Sequence, residues 1–138
     1  MIAYVSDAIS KDQALEQATN DIVQAAKRRN PTMGITGVLI LLNGKYLQII
    51  EGEEANLRIL MKGIEGDNRH ENVSYLIDTK TSARGFKDWN MDIFMLNKDL
   101  TFDAGTLTRL AESFRKNLLP RSDSLFFYYK SLLAQKTA

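Results

Sequence analysis

The run Tyr46-Leu47-Gln48-Ile49-Ile50 sets a primary amide in the middle of an otherwise apolar, strand-like segment. A buried amide without partners costs on the order of 1–3 kcal/mol, so Gln48 needs a side chain, a backbone group, a water or a ligand beside it. Tyr4, in Ile2-Ala3-Tyr4-Val5-Ser6, carries a hydroxyl with the same need when buried. Asn30 precedes Pro31, where an amide can cap helix carbonyls or accept a left-handed turn. Period-two geometry predicts that Trp89, Met91 and Ile93 share one strand face. Singly, each has an ordinary explanation: a satisfied core tyrosine, a helix stop, a bonded core amide, an apolar packing stripe. An amide and a phenol together at the floor of an apolar groove would do more, because they could address the polar edge of a flat ligand.

The elements that must position these groups follow from pattern and punctuation. Residues 1–6 read as a short apolar strand. Ser10 and Gln13 make a capping-box signature, and Leu15, Ala18, Ile22 and Ala26 recur at helical spacing until Pro31 stops the helix near Asn30. Residues 35–42 and 45–51 are strand-like runs separated by Asn43-Gly44, the preferred two-residue hairpin turn. That turn pairs Leu42 with Lys45, Leu41 with Tyr46 and Leu39 with Gln48. Little alternation in either run predicts a hairpin buried on both faces at the sheet centre. Residues 52–66 form a second helix with Leu57, Leu60, Met61 and Ile64 on one stripe, and 73–79 and 89–96 are two further strands joined by a polar turn.

The order βαββαββ predicts an α+β, ferredoxin-like fold: an antiparallel-dominated sheet with both helices on one face. A two-helix extension, split at Pro120, should cover the other face through Leu107, Leu110, Ala111, Phe114 and Leu118, then Leu125, Phe126, Tyr129 and Leu133. The chain divides accordingly into residues 1–97 and an extension, 98–138. In this packing the first and third strands are central neighbours. Tyr4 and Gln48 then face one groove, walled by Ile22 and Ile64.

Composition narrows the chemistry. The chain has 138 residues, 44% hydrophobic and 25% charged, which suits one ordinary domain with a short extension. It contains no cysteine, which removes disulfides, thiolate nucleophiles, sulfur-ligated metals and cysteine adducts to a flavin or bilin. A single histidine, His70, excludes a multi-histidine metal site, so no metal is expected. A net charge of +1 supplies no field for nucleic acid or an anionic membrane. No apolar stretch approaches the roughly 18 residues of a membrane span, and the amino terminus lacks a signal-peptide layout, so a cytoplasmic location is expected.

Five collinear segments of the chain resemble the BLUF (blue light using flavin) family. They are Tyr4-Val5-Ser6; Asn30 followed by Gly34-Ile35-Thr36-Gly37; Leu47-Gln48-Ile49-Ile50-Glu51-Gly52; Asp67-Asn68-Arg69-His70; and Phe86-Lys87-Asp88-Trp89-Asn90-Met91. The resemblance runs from residue 2 to about residue 96. It implies FAD, held non-covalently between the two helices with its adenine end towards solvent. Tyr4 resembles the donor of an electron and proton to the photoexcited flavin, and Gln48 the switching amide bonded to both ring and tyrosine. Asn30 resembles the anchor of the ring's carbonyl and imide edge, with Arg29 beside it where the family more often has His or Asn. Trp89 and Met91 resemble last-strand residues that reorient with light. Gly63 stands where some relatives have a basic residue, which leaves Lys62 or Arg69 for the phosphates. Asp67 and His70 complete the expected binding set, His70 more as a structural contact at the end of the helix.

The resemblance implies a photoreceptor, not an enzyme. No cyclase, phosphodiesterase or DNA-binding domain is read after the extension, so the expected output is contact with a downstream effector protein in trans, together with homo-oligomerisation. The last strand, the C-terminal helices and the aromatic run Leu125-Phe126-Phe127-Tyr128-Tyr129 are the expected exit. Two alternatives are a light-insensitive ferredoxin-like binding module and a small acylphosphatase-like enzyme. The latter needs an Arg/Asn phosphate cradle near the first strand, which Tyr4-Val5-Ser6-Asp7 does not supply.

Overall fold

The computed structural model describes residues 1–96, 98 and 100–138. The chain runs β1 (Ile2–Ala8), α1 (Asp12–Arg29), β2 (Thr36–Leu42), β3 (Lys45–Glu51), α2 (Glu54–Glu65), β4 (His70–Asp78), β5 (Asn90–Met95), β6 (Thr101–Phe102), α3 (Ala104–Asn117), α4 (Phe126–Leu133) and β7 (Lys136–Thr137). Among the described residues, β1 to β5 form one sheet in the order β4-β1-β3-β2-β5. Its neighbours are antiparallel except for β2 and β5, which are parallel. This is the ferredoxin-like, antiparallel-dominated α+β fold that the element order predicts. The expected domain boundary at position 97 lies outside the described residues.

The hairpin forms in the expected register, with Leu42 opposite Lys45, Leu41 opposite Tyr46 and Leu39 opposite Gln48. Asn43 and Gly44 both adopt positive φ, 53° and 74°, as a type I′ turn requires. Residues 37–42 and 46–51 are buried throughout, which places β3 at the sheet centre. Gly37 has its own reason to lack a side chain: a Cβ there would lie 1.9 Å from the Ile49 carbonyl oxygen.

The sheet separates two apolar clusters. On one face Ile2, Leu39, Leu41 and Ile50 pack against Val23 and Ala26 of α1 and Leu57, Leu60 and Met61 of α2. On the other, Val38, Ile40, Leu47 and Ile49 pack against Leu110, Phe114, Leu118 and Leu125. The C-terminal extension covers the second face as anticipated, and its end is tied back by the parallel pairing of β6 with β7.

Three local expectations require correction. The capping box at Ser10 does not form: the residue preceding α1 is Lys11, without a side-chain cap, and Asp12 turns the chain into the helix at φ 55°. The stripe of the last helix is displaced. Leu125, Tyr128 and Leu132 are buried whereas Phe126 and Leu133 are exposed, because a 3₁₀ turn over Asp123–Leu125 rotates the helix that follows. Finally, Trp89 and Met91 do not share a face. Trp89 belongs to the cluster under α3, and Met91 to the cluster under α1 and α2. The cause is a bulge: the β2–β5 register slips between Gly37 and Val38, and Met91 adopts φ 53°. An inserted residue reverses the period-two alternation beyond it.

Candidate functional site

Tyr4 and Gln48 occupy directly opposed positions on the neighbouring strands β1 and β3. Side chains so placed lie on the same face and within reach of each other. The Tyr4 hydroxyl donates to Gln48 Oε1 in a short, buried hydrogen bond. With its oxygen engaged there, the amide turns Nε2 the other way and donates to Met91 Sδ at 3.2 Å. A phenol, an amide and a thioether thus form one connected chain from β1 through β3 to β5. A thioether is a weak acceptor, so the last link is the most easily exchanged.

Above this floor lies a cavity between α1 and the end of α2. Its walls are Ile22, Ala25, Ala26 and Arg29 on one side and Gly63, Ile64, Asp67, Arg69 and His70 on the other, with Tyr4, Tyr46 and Gln48 beneath. The two alanines keep the wall of α1 shallow, and at Gly63 an added Cβ would meet nothing within 4 Å. The space therefore suits a flat, mostly apolar group with polar contacts at its edge.

The surrounding polar groups are held in place. His70 Nε2 lies 2.6 Å from the Ile64 carbonyl and Nδ1 lies 2.7 Å from Ser6 Oγ. A carbonyl only accepts, so in the neutral ring Nε2–H donates to it and Nδ1 accepts the Ser6 hydroxyl proton. His70 thereby ties β1 to the exit of α2. Thr19 Oγ1 donates to the Leu15 carbonyl at 2.7 Å, so the Tyr46 hydroxyl, 2.6 Å from Thr19 Oγ1, is the donor of that pair. At the rim the Arg69 guanidinium hydrogen-bonds Asp67 and holds its carboxyl below the usual carboxylate range.

Burial, reinforced by the negative charge of Asp67, pushes the Tyr4 phenol well above its ordinary pKa, with Arg29 only partly opposing. Tyr4 is consequently a neutral donor throughout the physiological range. Asn30 is 1% exposed. Its Oδ1 accepts from Arg29 Nε at 3.1 Å, while Nδ2 is a buried side-chain donor with no hydrogen-bond partner among the described residues. Such a group is rare in a folded protein and needs an acceptor. A ring carrying carbonyl and imide groups at its edge fits that requirement, which a plain apolar core does not.

Most of the residues named from sequence converge here. Tyr4, Ile22, Arg29, Gln48, Ile64, Asp67, Arg69 and His70 line the cavity; Asn30 is buried beside Arg29 and is not itself part of the lining, and Met91 meets Gln48. Two do not join them. Lys62 is exposed on α2 and is not among the lining residues. Trp89 lies on the opposite sheet face, edge-on to Phe94 at 5.8 Å, with the Arg109 guanidinium 5.1 Å from its ring centroid. Tyr46 also lines the cavity, where period two from Gln48 along β3 places it. Ala25 and Ala26 carry no signal beyond their helical register with Ile22.

A family model for sensors of blue-light using FAD, BLUF, matches residues 1–92, and the chain belongs to this family. The family is described as one of blue-light sensors that use FAD. The chain is 27% identical over 125 residues to photoactivated adenylate cyclase subunit beta of Euglena longa, covering 88% of this chain and 14% of that protein. It is 28% identical over 131 residues to the blue light- and temperature-regulated antirepressor BluF of Escherichia coli (strain K12), covering 85% of this chain and 32% of that one. It therefore spans about a third or less of these relatives' lengths. Among solved structures, the ground state of BlsA superposes with a TM-score of 0.70 at 26% identity, covering 99% of this chain and 89% of the other. Among the described residues no helix is long and apolar enough to cross a membrane, and no three His, Cys, Asp or Glu side chains group to hold a metal.

Proposed function

We propose that the flavin is FAD, that it sits non-covalently in the cavity between α1 and α2, and that Tyr4, Gln48 and Met91 are the moving parts of the switch. The observation that carries this reading is the unbroken chain from the Tyr4 hydroxyl through the Gln48 amide to Met91 Sδ across the cavity floor. Asn30 Nδ2 supports it as a donor awaiting an acceptor, as do Arg29 and Arg69 at the wall and rim. The flavin, when bound, supplies the blue absorption and the light-driven demand for an electron. Tyr4 is the donor suited to meet that demand, because its proton already rests on a hydrogen bond to Gln48 Oε1. A phenol that loses an electron becomes strongly acidic, and its proton shifts on to that oxygen. The Gln48 amide then rotates or tautomerises, and the electron and proton return to Tyr4, which leaves the amide neutral with its donor and acceptor ends exchanged. Rotation turns Oε1 towards Met91 Sδ, an acceptor facing an acceptor, and Met91 must yield. The change thus leaves the cavity through β5. Removing either Tyr4 or Gln48 breaks the whole network.

The chain acts in this reading as a sensor with no enzymatic activity of its own, divided into a flavin-binding unit, 1–97, and an extension, 98–138. It signals to an effector protein in trans and forms a homo-oligomer in the cytoplasm. Exposed Phe126 and Phe127 on α4, at 52% and 58%, support a protein contact on the extension. The deciding experiment is an absorbance spectrum before and after blue light, with the released cofactor separated chromatographically. FAD and a small reversible red shift that is lost in Gln48→Ala are expected. A colourless protein that takes up no flavin sinks the proposal, and a static flavin band leaves binding without a switch.

A further inference from the structure

Glu51 ends β3 with a carboxylate on a residue only 2% exposed, outside the cavity. Its two oxygens accept the backbone N–H groups of Gly85, at 2.9 Å, and Phe86. These groups belong to the connection from β4 to β5, which passes from one edge of the sheet to the other. A backbone segment that buries itself on such a crossing brings polar groups that must find partners. Phe86 is 0% exposed, and Glu51 provides the acceptors on either side of its peptide unit.

From that anchor to Met91 the path is short and bonded. Trp89 N–H donates to the Phe86 carbonyl at 3.3 Å, and Gly37 N–H donates to the Trp89 carbonyl at 2.9 Å. Asn90 then pairs with Gly37, Met91 bulges, and Asp92 pairs with Val38. Three residues before Glu51 on the same strand, Gln48 bonds Met91 Sδ. β3 therefore holds segment 85–91 at both ends. Gly85 also lies against the last residue of α3, since a Cβ on it would come within 2.3 Å of Asn117 Cγ.

The geometry points to Glu51 as a positioning residue of the switch: by gripping Gly85 and Phe86 it sets where segment 85–91 runs, and hence whether Met91 reaches Gln48. The assignment rests on the switch proposed above and extends it to α3. Displacement of Met91 works against a segment pinned at Glu51, so movement is passed to the Gly85–Asn117 contact instead of dissipating in the loop.

Trp89, the single tryptophan of the chain, reports on this segment directly. The test uses the flavin-loaded full chain and compares wild type with Glu51→Gln, Gly85→Ala and Leu132→Val. The last trims a residue of α4 that is 1% exposed, and it costs stability away from the segment. The readouts are the Trp89 indole N–H resonance, the ¹³C-methyl resonance of Met91, the melting temperature and the dark-recovery rate after blue light. Glu51→Gln keeps the size of the side chain but only one acceptor oxygen. It should retain flavin, move both resonances and change the recovery rate by about threefold or more, on the scale of the net worth of one ordinary hydrogen bond. Gly85→Ala should move the Trp89 and Met91 resonances by displacing the segment from Asn117, whereas Leu132→Val should lower the melting temperature and move neither. A Met91 resonance or a recovery rate at the wild-type value in Glu51→Gln overturns the assignment. If that variant does not fold, unmoved resonances in Gly85→Ala overturn it. A wild type that shows no light response sinks the switch itself, and the dark-state resonances still decide whether Glu51 positions Met91.

Discussion

Tyr4 donates to Gln48 from a position directly across the β1–β3 ladder, and Gln48 passes its own donor to Met91. Removing the hydroxyl in Tyr4→Phe leaves Gln48 Oε1 buried without its donor. Stability at pH 7 should fall by about 1–3 kcal/mol, flavin should remain bound, and the light-induced shift should vanish. The same hydroxyl predicts a pH effect with a definite sign. Burial raises the Tyr4 pKa above its ordinary value of 10.0, so above that pH the unfolded chain loses a proton that the folded chain keeps. Its contribution is complete below pH 10.0 and declines as pH rises further, with Tyr46, also raised by burial, acting in the same sense. Urea denaturation at pH 7 and pH 11 should therefore show the gap between wild type and Tyr4→Phe narrowing at the higher pH. At this scale the sequence was informative. A lone amide in an apolar strand demands a partner, and that demand is visible without coordinates. Asn30 was less legible, because an amide before proline reads equally well as a helix stop. Its burial and its unpartnered Nδ2 arise only from packing.

Among the elements, the β2–β3 hairpin was fully readable, since Asn43-Gly44 specifies both turn type and register. Strand β5 was not. Alternation along 89–93 puts Trp89 beside Met91, but the bulge at Met91 separates them onto opposite faces. Nothing within those five residues announces the bulge. It arises where the parallel pairing with β2 begins, after the connecting segment has been captured by Glu51 and Gly37. Met91→Leu keeps the volume and removes the sulfur acceptor, leaving Gln48 Nε2 a buried donor without a partner. It should lower stability by about 1–3 kcal/mol and shift the Gln48 side-chain amide resonances, while leaving the Trp89 indole resonance in place. An unchanged Gln48 amide would show that the contact with Met91 does not hold it.

For the whole molecule, the sheet works as a partition with the cavity between α1 and α2 on one face and a helical extension on the other. Residues facing each way alternate along β2 and β3, so the hairpin touches both compartments. Phe114, 0% exposed on α3, is central to the second compartment and stacks on Tyr129 with ring centroids 6.1 Å apart. Phe114→Ala should cost about 3–5 kcal/mol in a denaturant titration. Because the cavity lies across the sheet, the folded variant should keep its flavin spectrum. Loss of flavin from folded Phe114→Ala would show that the two faces are coupled more tightly than the partition implies.

What the chain determined by itself was local or periodic: an α1 that ends before Pro31, the two-residue turn, apolar runs buried on both faces, and a tyrosine and a glutamine on adjacent strands. These follow from φ preferences, period two and the cost of burying polar groups, none of which needs distant partners. The opposed placement of Trp89 and Met91, the rotated α4, the exclusion of Lys62 from the cavity and the grip of Glu51 on Gly85 and Phe86 were decided by tertiary structure. Each depends on segments far apart in sequence meeting in one register, and that register follows from how the whole chain packs.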